Sequence, residues 1–322
     1  MDISGRRFTV IGAGRSGISA ANLLSRRGGI VRLVDDNIER ARPDNLTTQV
    51  TYEAGTHTVA RGDVAVLSPG IPEVSPIRKE VAEVASEVIG EMELFARLCP
   101  CPIIAITGTD GKSTTTTMIG AIMAASGRDT RVGGNLGNPL CDDVDTLGPE
   151  SVAVAEVSAF QLTTTDSFRP AVAVMTNIAE DHLDYHGGFE PYQAAKRRVW
   201  LKMESGDTVV INGDDARIAG WPLPEGPTIE RFTLSDPTRG DAYLQGEALW
   251  LGEERLMDRA ALKLLGDHNV ANALSAALAC RAMGVEGSVI AEALAQYAPL
   301  AHRLQPVTRH QGVLWVNDSK AT

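Results

Sequence analysis

The segment from residue 102 to residue 114 carries residue types suited to binding phosphate groups. It reads Pro-Ile-Ile-Ala-Ile-Thr-Gly-Thr-Asp-Gly-Lys-Ser-Thr, an apolar run that leads through two glycines into a lysine and a serine. Glycines let backbone N–H groups close around phosphate oxygens, and the N-terminus of a following helix adds about half a positive charge. Lys112 would reach the β- and γ-phosphates, and Ser113 would ligate Mg²⁺. The match to the general P-loop pattern is incomplete, since Ile106 stands where its first glycine would fall, but the segment predicts a nucleoside triphosphate site.

A second glycine-rich turn lies near the N-terminus. Residues 8–11 predict a strand, residues 12–17 (Gly-Ala-Gly-Arg-Ser-Gly) open a helix, and a second strand, 30–34, is followed by Asp35. This order is a Rossmann-type fingerprint, in which the turn admits a pyrophosphate and the acid accepts a ribose hydroxyl bond. Read alone, it predicts an NAD(P)-dependent oxidoreductase, a site for another diphosphate nucleotide such as a UDP-sugar, or a tight turn without a ligand. The separate phosphate loop at Lys112 disfavours the oxidoreductase, which has no use for a γ-phosphate cradle.

Further polar residues follow predicted strands, where open α/β sheets bind their ligands. Glu156 closes the run 152–156, and a carboxylate beside a phosphate loop is suited to hold Mg²⁺. After the strand 171–176 come His182 and His186, which are four residues apart and would share one helix face. A zinc site is an alternative, but the HExxH order and a cysteine ligand are missing. A role for His182 beside Mg²⁺ or phosphate fits better.

Two other sets of polar residues lie on predicted helices. Lys196 is followed by Arg197 and Arg198, a pattern equally compatible with a functional lysine and with a solvated basic face. Asn269 and Asn272 lie three residues apart at the start of a helix. They would either cap the helix or read an adenine edge through amide hydrogen bonds, and capping would explain only Asn269.

The elements that must position these residues alternate between strand and helix patterns. This alternation predicts an α/β fold with parallel sheets, divided into an N-terminal Rossmann-like domain (1–90) and a central P-loop-type ATP-binding domain (91–299). Residues 300–322 are expected to form a hinge and the start of a further domain. Their last predicted strand, 313–316, has no predicted partner, which favours a chain that stops short of a natural terminus.

Composition limits the class of protein. The chain has 322 residues, a net charge of −11 and 43% hydrophobic residues. The excess of acid argues against a nucleic-acid or anionic-membrane surface, and no apolar run has the length of a membrane span. The four cysteines form no CxxC pair, and Cys99-Pro-Cys101 is too close for an ordinary disulfide, so we expect buried or incidental thiols in a reducing compartment. We therefore expect a soluble, cytoplasmic protein.

Taken together, the clusters resemble the Mur ligase family, the ATP-dependent amino-acid ligases of bacterial peptidoglycan synthesis. The resemblance covers the whole chain, with the motifs in the family's order. It is carried by residues 107–114, Glu156, Asp181-His182, Lys196, 268–272, His302-Arg303 and 317–322. Glu156-Val-Ser-Ala-Phe-Gln-Leu and Asn317-Asp-Ser-Lys-Ala-Thr are most similar to members that add D-glutamate, although Ala159 stands where a second serine is usual.

The resemblance implies roles for individual residues. Lys112, His182 and Lys196 would be catalytic, with two Mg²⁺ ions held by Ser113, Glu156, His182 and Lys196, the lysine being carbamylated by CO₂. ATP would be bound by Gly108, Thr109, Asp110, Gly111, Lys112, Ser113, Thr114, Asn269, Asn272, Arg303 and Asp318. The UDP-sugar would be bound by Arg15, Ser16, Asp35, Asp36, Asn37, Gly70, Asn135, Gln161 and His182. The family usually has different side chains at positions 15, 36 and 37, so contacts there are expected to be altered or made by the backbone.

The resemblance also implies substrates and a reaction. ATP would phosphorylate the carboxylate of UDP-N-acetylmuramoyl-L-alanine, and the amine of D-glutamate would attack the acyl phosphate. Family members carry the D-glutamate site on a third, C-terminal Rossmann-like domain, which we expect to be absent here. The chain is then expected to bind the UDP-sugar, to bind ATP more weakly and not to turn over. We expect a monomer with no nucleic-acid or membrane partner. A UDP-sugar-binding module without catalysis is the remaining alternative.

Overall fold

The computed structural model describes residues 1–298, 300 and 305–319. The strands are β1 (Arg7–Ile11), β2 (Ile30–Asp35), β3 (Thr51–Ala54), β4 (Val64–Leu67), β5 (Glu87–Gly90), β6 (Ile103–Thr107), β7 (Thr130–Gly134), β8 (Val152–Glu156), β9 (Val172–Met175), β10 (Thr208–Asn212), β11 (Thr228–Thr233), β12 (Ala242–Gln245), β13 (Ala248–Leu251), β14 (Glu254–Asp258), β15 (Gln305–His310) and β16 (Val313–Asn317).

The helices alternate with the strands, as an α/β fold requires. They are α1 (Arg15–Arg26), α2 (Pro76–Val84), α3 (Glu91–Leu98), α4 (Lys112–Ala125), α5 (Ala159–Leu162), α6 (Leu183–His186), α7 (Phe189–Arg197), α8 (Ala216–Ala219), α9 (Asp267–Ala282) and α10 (Gly287–Gln296). None of these helices, within the described part of the chain, is long and apolar enough to cross a membrane.

The chain divides into two compact units. The first contains Met1–Thr107, Arg131–Ala171 and Ala179–Met203, and the second contains Gly108–Thr130, Val172–Ile178 and Glu204–Thr322. The division follows contacts in space and does not coincide with the domain boundaries predicted at residues 90 and 299, which stay a prediction.

A five-stranded parallel sheet forms the N-terminal part of the first unit. Its order is β3-β2-β1-β4-β5, and Phe8 of β1 is paired with Val31 on one side and Val64 on the other. The inner strands β1 and β4 are apolar and almost fully buried, as is usual for parallel sheets covered on both faces. The order reverses direction at β1, so the turn after β1 lies at the point where such sheets bind nucleotides.

The glycines after β1 are required by close packing. A Cβ atom on Gly17 would lie 1.9 Å from the carbonyl oxygen of Gly12, and one on Gly12, whose φ is +97°, would lie 2.7 Å from Cβ of Ser68. No other residue type fits both positions without a shift of the backbone. The predicted strand, glycine turn and helix are thus present, with α1 beginning at Arg15.

The remaining strands of the first unit are β6, β8 and β7, which lie side by side in that order. β6 and β8 are parallel, with Ile106 paired to Glu156, and all residues of both strands are buried. This register places Glu156 at the carboxyl end of β8, beside the end of β6.

The second unit is built on six strands in the order β14-β13-β12-β11-β10-β9. β9 to β12 are parallel, whereas β12, β13 and β14 form an antiparallel meander. Helix α9 packs on these strands and against α4, and α10 packs against both helices.

The prediction that the last strand has no partner is wrong. β16 pairs with β15 in an antiparallel hairpin, and the turn residues Gln311 and Gly312 both have positive φ. Two positive φ angles are typical of the tight turn that joins twisted strands. β15 was not predicted because Pro306 and polar residues interrupt the apolar alternation of the strand. β3, β7 and β11 were not predicted either, since their apolar runs are short.

Glu91 is a buried carboxyl group at the start of α3. Only 2% of the residue is exposed, Oε1 accepts a hydrogen bond from the Cys141 backbone N at 3.3 Å, and Oε2 has no partner among the described residues. Burial raises the pKa of this carboxyl from 4.5 to about 7, while the hydrogen bonds from Cys141 oppose the rise. A raised pKa in the folded state means that the carboxyl stabilises the fold only while it is protonated.

Glu91→Gln is expected to flatten the pH dependence of stability. The unfolded wild type ionises near pH 4.5 and the folded protein only near pH 7, so the wild type loses stability across this window, by up to about 3 kcal/mol. The glutamine side chain cannot ionise, so the free energy of unfolding of the variant should rise relative to that of the wild type between pH 5 and pH 8. Urea unfolding at both pH values measures the difference. Glu150→Gln, at an exposed carboxyl, is the control, and an equal pH slope for Glu91→Gln and wild type would contradict the assignment.

Candidate active site

The phosphate loop of the second unit has the predicted geometry. β6 ends at Thr107, and α4 begins at Lys112 after Gly111, whose φ is +79°. A Cβ atom on Gly108 would lie 1.9 Å from Oγ1 of Thr176, and one on Gly111 would lie 2.4 Å from Oδ1 of Asn272. The two glycines are therefore needed for the path of the loop, and the loop delivers the chain to a helix N-terminus, where backbone N–H groups attract anions.

The loop is fastened by two residues that follow β9. The Asp110 backbone N donates to Oδ1 of Asn177 at 2.9 Å, and Nδ2 of Asn177 donates to the Asp110 carbonyl at 3.0 Å. Oγ1 of Thr176 donates to the same carbonyl at 2.6 Å. No role was predicted for either side chain, although two polar residues directly after a buried strand could have indicated that they contribute to the site.

Lys112 lies over the loop that precedes it. Its Nζ donates to the Thr109 carbonyl at 2.5 Å, and the side chain is half-buried. Ser113 is buried in the first turn of α4, and Thr114 follows it half-buried. The ammonium therefore already lies at the loop whose N–H groups would hold a phosphate.

Asn269 and Asn272 lie side by side, both 6% exposed, on the first turns of α9. Nδ2 of Asn269 donates to the Leu265 carbonyl at 2.7 Å, and Nδ2 of Asn272 donates to Oδ1 of Asn269 at 3.2 Å. The helix begins two residues before Asn269, with Gly266 at the N-cap, so the capping interpretation of Asn269 is wrong. Asn272 lies next to Gly111, which brings this amide pair to the phosphate loop.

Two other predicted ATP ligands come from the C-terminal segment. Arg303 and its neighbour His302 lie outside the described residues. Asp318 follows β16 and is exposed.

Glu156 is the most deeply buried acid among the predicted site residues, with 2% of its surface exposed. Its Oε1 accepts a hydrogen bond from Nδ2 of Asn135 at 2.6 Å, and the Asn135 backbone N donates to the Glu156 carbonyl at 2.8 Å. Oε2 is buried and has no hydrogen-bond partner among the described residues. A buried carboxylate oxygen without a partner costs free energy unless a cation binds it, so this residue fits a Mg²⁺ ligand.

Asn135 reaches this position through a tight turn after β7. A Cβ atom on Gly134, whose φ is +95°, would lie 2.5 Å from the Glu156 carbonyl oxygen. The contact of Asn135 with the UDP-sugar stays a prediction, and in the structure its amide lies against Glu156. One oxygen of the carboxylate is thereby fixed, and the other is aimed away from the amide.

His182 and His186 both lie close to one aromatic ring, that of Phe160. The Phe160 centroid is 4.8 Å from the His182 ring and 5.5 Å from the His186 ring. His182 has a left-handed backbone, with φ of 49°, and its Nε2 lies 3.4 Å from Oδ2 of Asp181. His186 is buried, and its Nδ1 lies 3.1 Å from Oε2 of Glu73. Burial lowers the pKa of His186, and the pairing with Glu73 opposes this effect.

The zinc alternative finds no support in this arrangement. Within residues 1–298, 300 and 305–319 no three side chains of His, Cys, Asp or Glu are grouped as metal ligands. His182, with about half of its side chain exposed, is the histidine that a ligand can reach.

The interpretation of Lys196 as part of a solvated face is wrong. Lys196 is 2% exposed, and its Nζ lies 4.6 Å from the Tyr192 ring centroid. Arg198, two residues on, donates from Nε to the Leu162 carbonyl at 2.8 Å, which fixes the end of α5 against the chain after α7. Burying a lysine ammonium is costly, and such burial is commoner at functional sites than on structural helix faces.

Gln161 is used in part by its own helix. Ser158 and Gln161 form a capping box, in which the Ser158 backbone N donates to Oε1 of Gln161 at 3.0 Å. The predicted contact with the muramoyl part of a substrate would have to use the other end of this amide.

The predicted ribose acceptor, Asp35, is already engaged. Its Oδ2 accepts from the Ala13 backbone N and from Nη1 of Arg40, both at 2.7 Å, and Oδ1 accepts from the Asn37 backbone N at 3.1 Å. Burial raises the pKa of Asp35, but these hydrogen bonds outweigh it and hold the pKa below its usual range. The carboxylate therefore ties the glycine turn to the end of β2, which disfavours the NAD(P) reading.

The other predicted UDP-site residues surround this turn. Nη1 of Arg15 donates to the Gly137 carbonyl at 3.1 Å, and Ser16 is half-buried in the first turn of α1. Asp36 and Gly70 are exposed at the ends of β2 and after β4. The side chains available at this edge of the sheet favour contacts through the backbone.

Two family models match the chain. The Mur ligase middle domain matches residues 106–280, and the MurD-like N-terminal domain of Mur ligases matches residues 6–90. Together they include every predicted site residue except Arg303 and Asp318.

The curated relatives agree with these matches. The UDP-N-acetylmuramoylalanine–D-glutamate ligase of Acidobacterium capsulatum is 36% identical over 335 aligned positions, and that of Pelotomaculum thermopropionicum is 38% identical. In both cases the alignment covers 100% of this chain and 73% of the relative.

Solved structures show the same fold. A murein peptide ligase from Psychrobacter arcticus has a TM-score of 0.62 at 19% identity, with 98% of this chain and 73% of that chain covered. UDP-N-acetylmuramate–alanine ligase from Thermotoga maritima has a TM-score of 0.58 at 20% identity, with 97% and 74% covered. At this level of identity the likeness concerns the fold alone.

Proposed function

This chain belongs to the Mur ligase family. On that premise we propose that it carries the UDP-sugar-binding and ATP-binding parts of an ATP-dependent ligase that joins D-glutamate to UDP-N-acetylmuramoyl-L-alanine in peptidoglycan synthesis. The observation that carries the proposal is the phosphate loop, with Lys112 folded over it at the N-terminus of α4. The substrates are inferred from the names of the relatives, and the use of ATP is inferred from the phosphate loop.

The reaction needs activation of a carboxylate, which is a poor electrophile. A carboxylate oxygen of UDP-N-acetylmuramoyl-L-alanine attacks the γ-phosphorus of ATP, the bond to the β-γ bridging oxygen breaks, and ADP leaves. The amine nitrogen of D-glutamate then attacks the acyl carbon, phosphate departs with the C–O bond electrons, and the nitrogen loses a proton. Both substrates are anionic, so positioning and charge neutralisation supply most of the catalysis.

In this reaction Lys112 and the N–H groups at the start of α4 would neutralise the β- and γ-phosphates. Asn269 and Asn272 would hold the adenine and ribose-phosphate end of ATP, as the family resemblance implies, and the position of Asn272 next to Gly111 supports a place beside the phosphates. Asn177 would act by holding the loop in its binding conformation.

Mg²⁺ would neutralise negative charge on the phosphates, on the β-γ bridging oxygen that the phosphoryl group leaves and on the carboxylate oxygen that it joins. Glu156 is proposed as a ligand. Its buried Oε2, which has no hydrogen-bond partner among residues 1–298, 300 and 305–319, supports this role, and Asn135 fixes the other oxygen. The resemblance adds Ser113, His182 and a carbamylated Lys196 as ligands of two ions. Burial of Lys196 supports the carbamate, because CO₂ adds to the uncharged amine, the nitrogen then loses a proton, and the product is an anionic oxygen ligand.

The uridine diphosphate is assigned to the turn after β1. The close-packed glycines at positions 12 and 17 let the chain turn tightly into α1, whose first N–H groups would bind the diphosphate, and Asp35 holds the turn through Ala13. Arg15 and Gly70 lie nearby on the same edge of the sheet.

Parallel calorimetric titrations of the 322-residue chain test the proposal. UDP-N-acetylmuramoyl-L-alanine is expected to bind, Mg²⁺·ATP is expected to bind more weakly, and NAD is expected to release no heat. Gly17→Ala, which closes the turn, serves as the matched variant and should lose only the UDP-sugar. Tight NAD binding together with no response to the UDP-sugar would overturn the proposed function in favour of the oxidoreductase.

A further inference from the structure

Two cysteine sulfurs lie within reach of each other between α3 and β6. Sγ of Cys99 is 3.5 Å from Sγ of Cys101, and Sγ of Cys99 also lies 3.4 Å from the Cys101 carbonyl oxygen. Cys99 is the C-cap residue of α3, and Pro100 between the two cysteines is exposed. The short spacing of the two cysteines argues against an ordinary disulfide. In the structure, however, both side chains lie on the same side of the chain.

The two cysteines differ in access. Cys99 is half-buried, whereas Cys101 is 9% exposed. The hydrogen bond with the Cys101 side chain lowers the pKa of the Cys99 thiol, burial raises this pKa, and the hydrogen bond with the Cys101 backbone lowers it further. A thiolate is the reactive form of cysteine, so Cys99, the more accessible of the two, is expected to be the attacking sulfur.

The other two cysteines provide an internal contrast. Cys141 and Cys280 are fully buried, and burial raises the pKa of both thiols above the usual range. Neither has a second cysteine beside it in the described part of the chain. Reactivity toward a disulfide should therefore be confined to the pair at positions 99 and 101.

We propose that Cys99 and Cys101 form a thiol–disulfide exchange site, in which Cys99 attacks a low-molecular-weight disulfide and Cys101 resolves the product. The Cys99 thiolate attacks one sulfur of the external disulfide, forms a mixed disulfide and releases one thiolate, which takes up a proton. The Cys101 thiol then loses its proton and attacks Cys99 Sγ, and the second small thiolate leaves. The two cysteines are oxidised by two electrons, and the external disulfide is reduced to two thiols.

The geometry favours the second step. The sulfurs must approach from 3.5 Å to about 2.05 Å, which rotation of the two side chains can supply without refolding of α3 or β6. The ring that closes spans only Pro100, so little chain entropy is lost on closure. Small strained disulfides are also reduced readily, which makes the bond reversible.

The bond would link the end of α3 to the segment that enters β6. Ile103 begins β6 two residues after Cys101, and the strand leads directly into the phosphate loop. The proposal does not rest on nucleotide binding, so its test is independent of the proposed function.

Intact-mass measurement after exposure to oxidised glutathione tests the proposal. The native wild-type chain is expected to lose the mass of two hydrogen atoms and to retain no glutathione, with the new bond mapped to Cys99 and Cys101 by peptide analysis. Cys101→Ser should instead retain one glutathione on Cys99. Cys99→Ser should react at least about 100-fold more slowly than Cys101→Ser, because the remaining thiols are buried.

Cys141→Ser and Cys280→Ser are the matched controls and should behave as the wild type. Circular dichroism of each variant checks the fold, and the wild-type peptide map stands without any variant. Stable glutathione adducts on the wild-type chain, or reaction of Cys99 no faster than that of Cys141, would overturn the proposal.

Discussion

Lys112→Ala is expected to weaken Mg²⁺·ATP binding at least about 100-fold while the melting temperature changes little. The ammonium lies over the phosphate loop, 2.5 Å from the Thr109 carbonyl, where it would face the β- and γ-phosphates. A charged hydrogen bond to a phosphate contributes about 1.5–3 kcal/mol, and 100-fold corresponds to about 2.7 kcal/mol. Because the side chain is only half-buried, its removal should cost the fold little.

Calorimetric titration with ATP and Mg²⁺ measures this loss, and the UDP-sugar titration should stay unchanged in the same variant. Lys263→Ala removes an exposed lysine of the second unit and keeps the net charge equal to that of the Lys112 variant. If both variants lose the same small amount of affinity, Lys112 contributes only long-range attraction and the phosphate-loop assignment is wrong.

Lys196→Ala is expected to abolish a carbamate signal that the wild-type chain shows in ¹³C NMR after equilibration with ¹³C-labelled bicarbonate. Lys196 is 2% exposed, and the CO₂ adduct would exchange a buried cation for an anion beside bound Mg²⁺. Added Mg²⁺ should strengthen the signal of the wild type, because the metal stabilises the charged product.

The matched control for this experiment is Lys202→Ala, which removes an exposed lysine shortly after α7 and should leave the signal intact. Lys196→Arg keeps the positive charge but cannot form the carbamate, so it separates the charge of the side chain from its modification. A wild-type spectrum without a carbamate at saturating Mg²⁺ would show that Lys196 acts as the free amine.

Local sequence patterns predicted the segments whose geometry depends on a few consecutive residues. The turn at 12–17 and the loop at 108–111 were found because only glycine tolerates positive φ and close backbone approach. The hairpin strand β15 was missed because pairing with β16 stabilises it more than its own apolar pattern does.

The contacts of the candidate site depended on residues far apart in the chain. Asn177 fastens the loop from 67 positions away, and Asn135 holds Glu156 across 21. A side chain after a strand carries no local sign of which neighbour it will meet, because strand order decides that. Asp35 shows the same limit. Its residue type and position predicted a hydrogen bond to a ribose, but the hydrogen bonds that it accepts from Ala13 and Arg40 could not be predicted from the local sequence.

The sequence by itself determined the family, the two glycine turns and the types of residue available for catalysis. Only the tertiary structure decided that Lys196 is buried, that one oxygen of Glu156 has no hydrogen-bond partner in the part of the chain that the structure describes, and that Cys99 and Cys101 face each other. The physical reason is that glycine and strand signals act through local backbone sterics, whereas burial and pairing arise when distant segments pack together and exclude water.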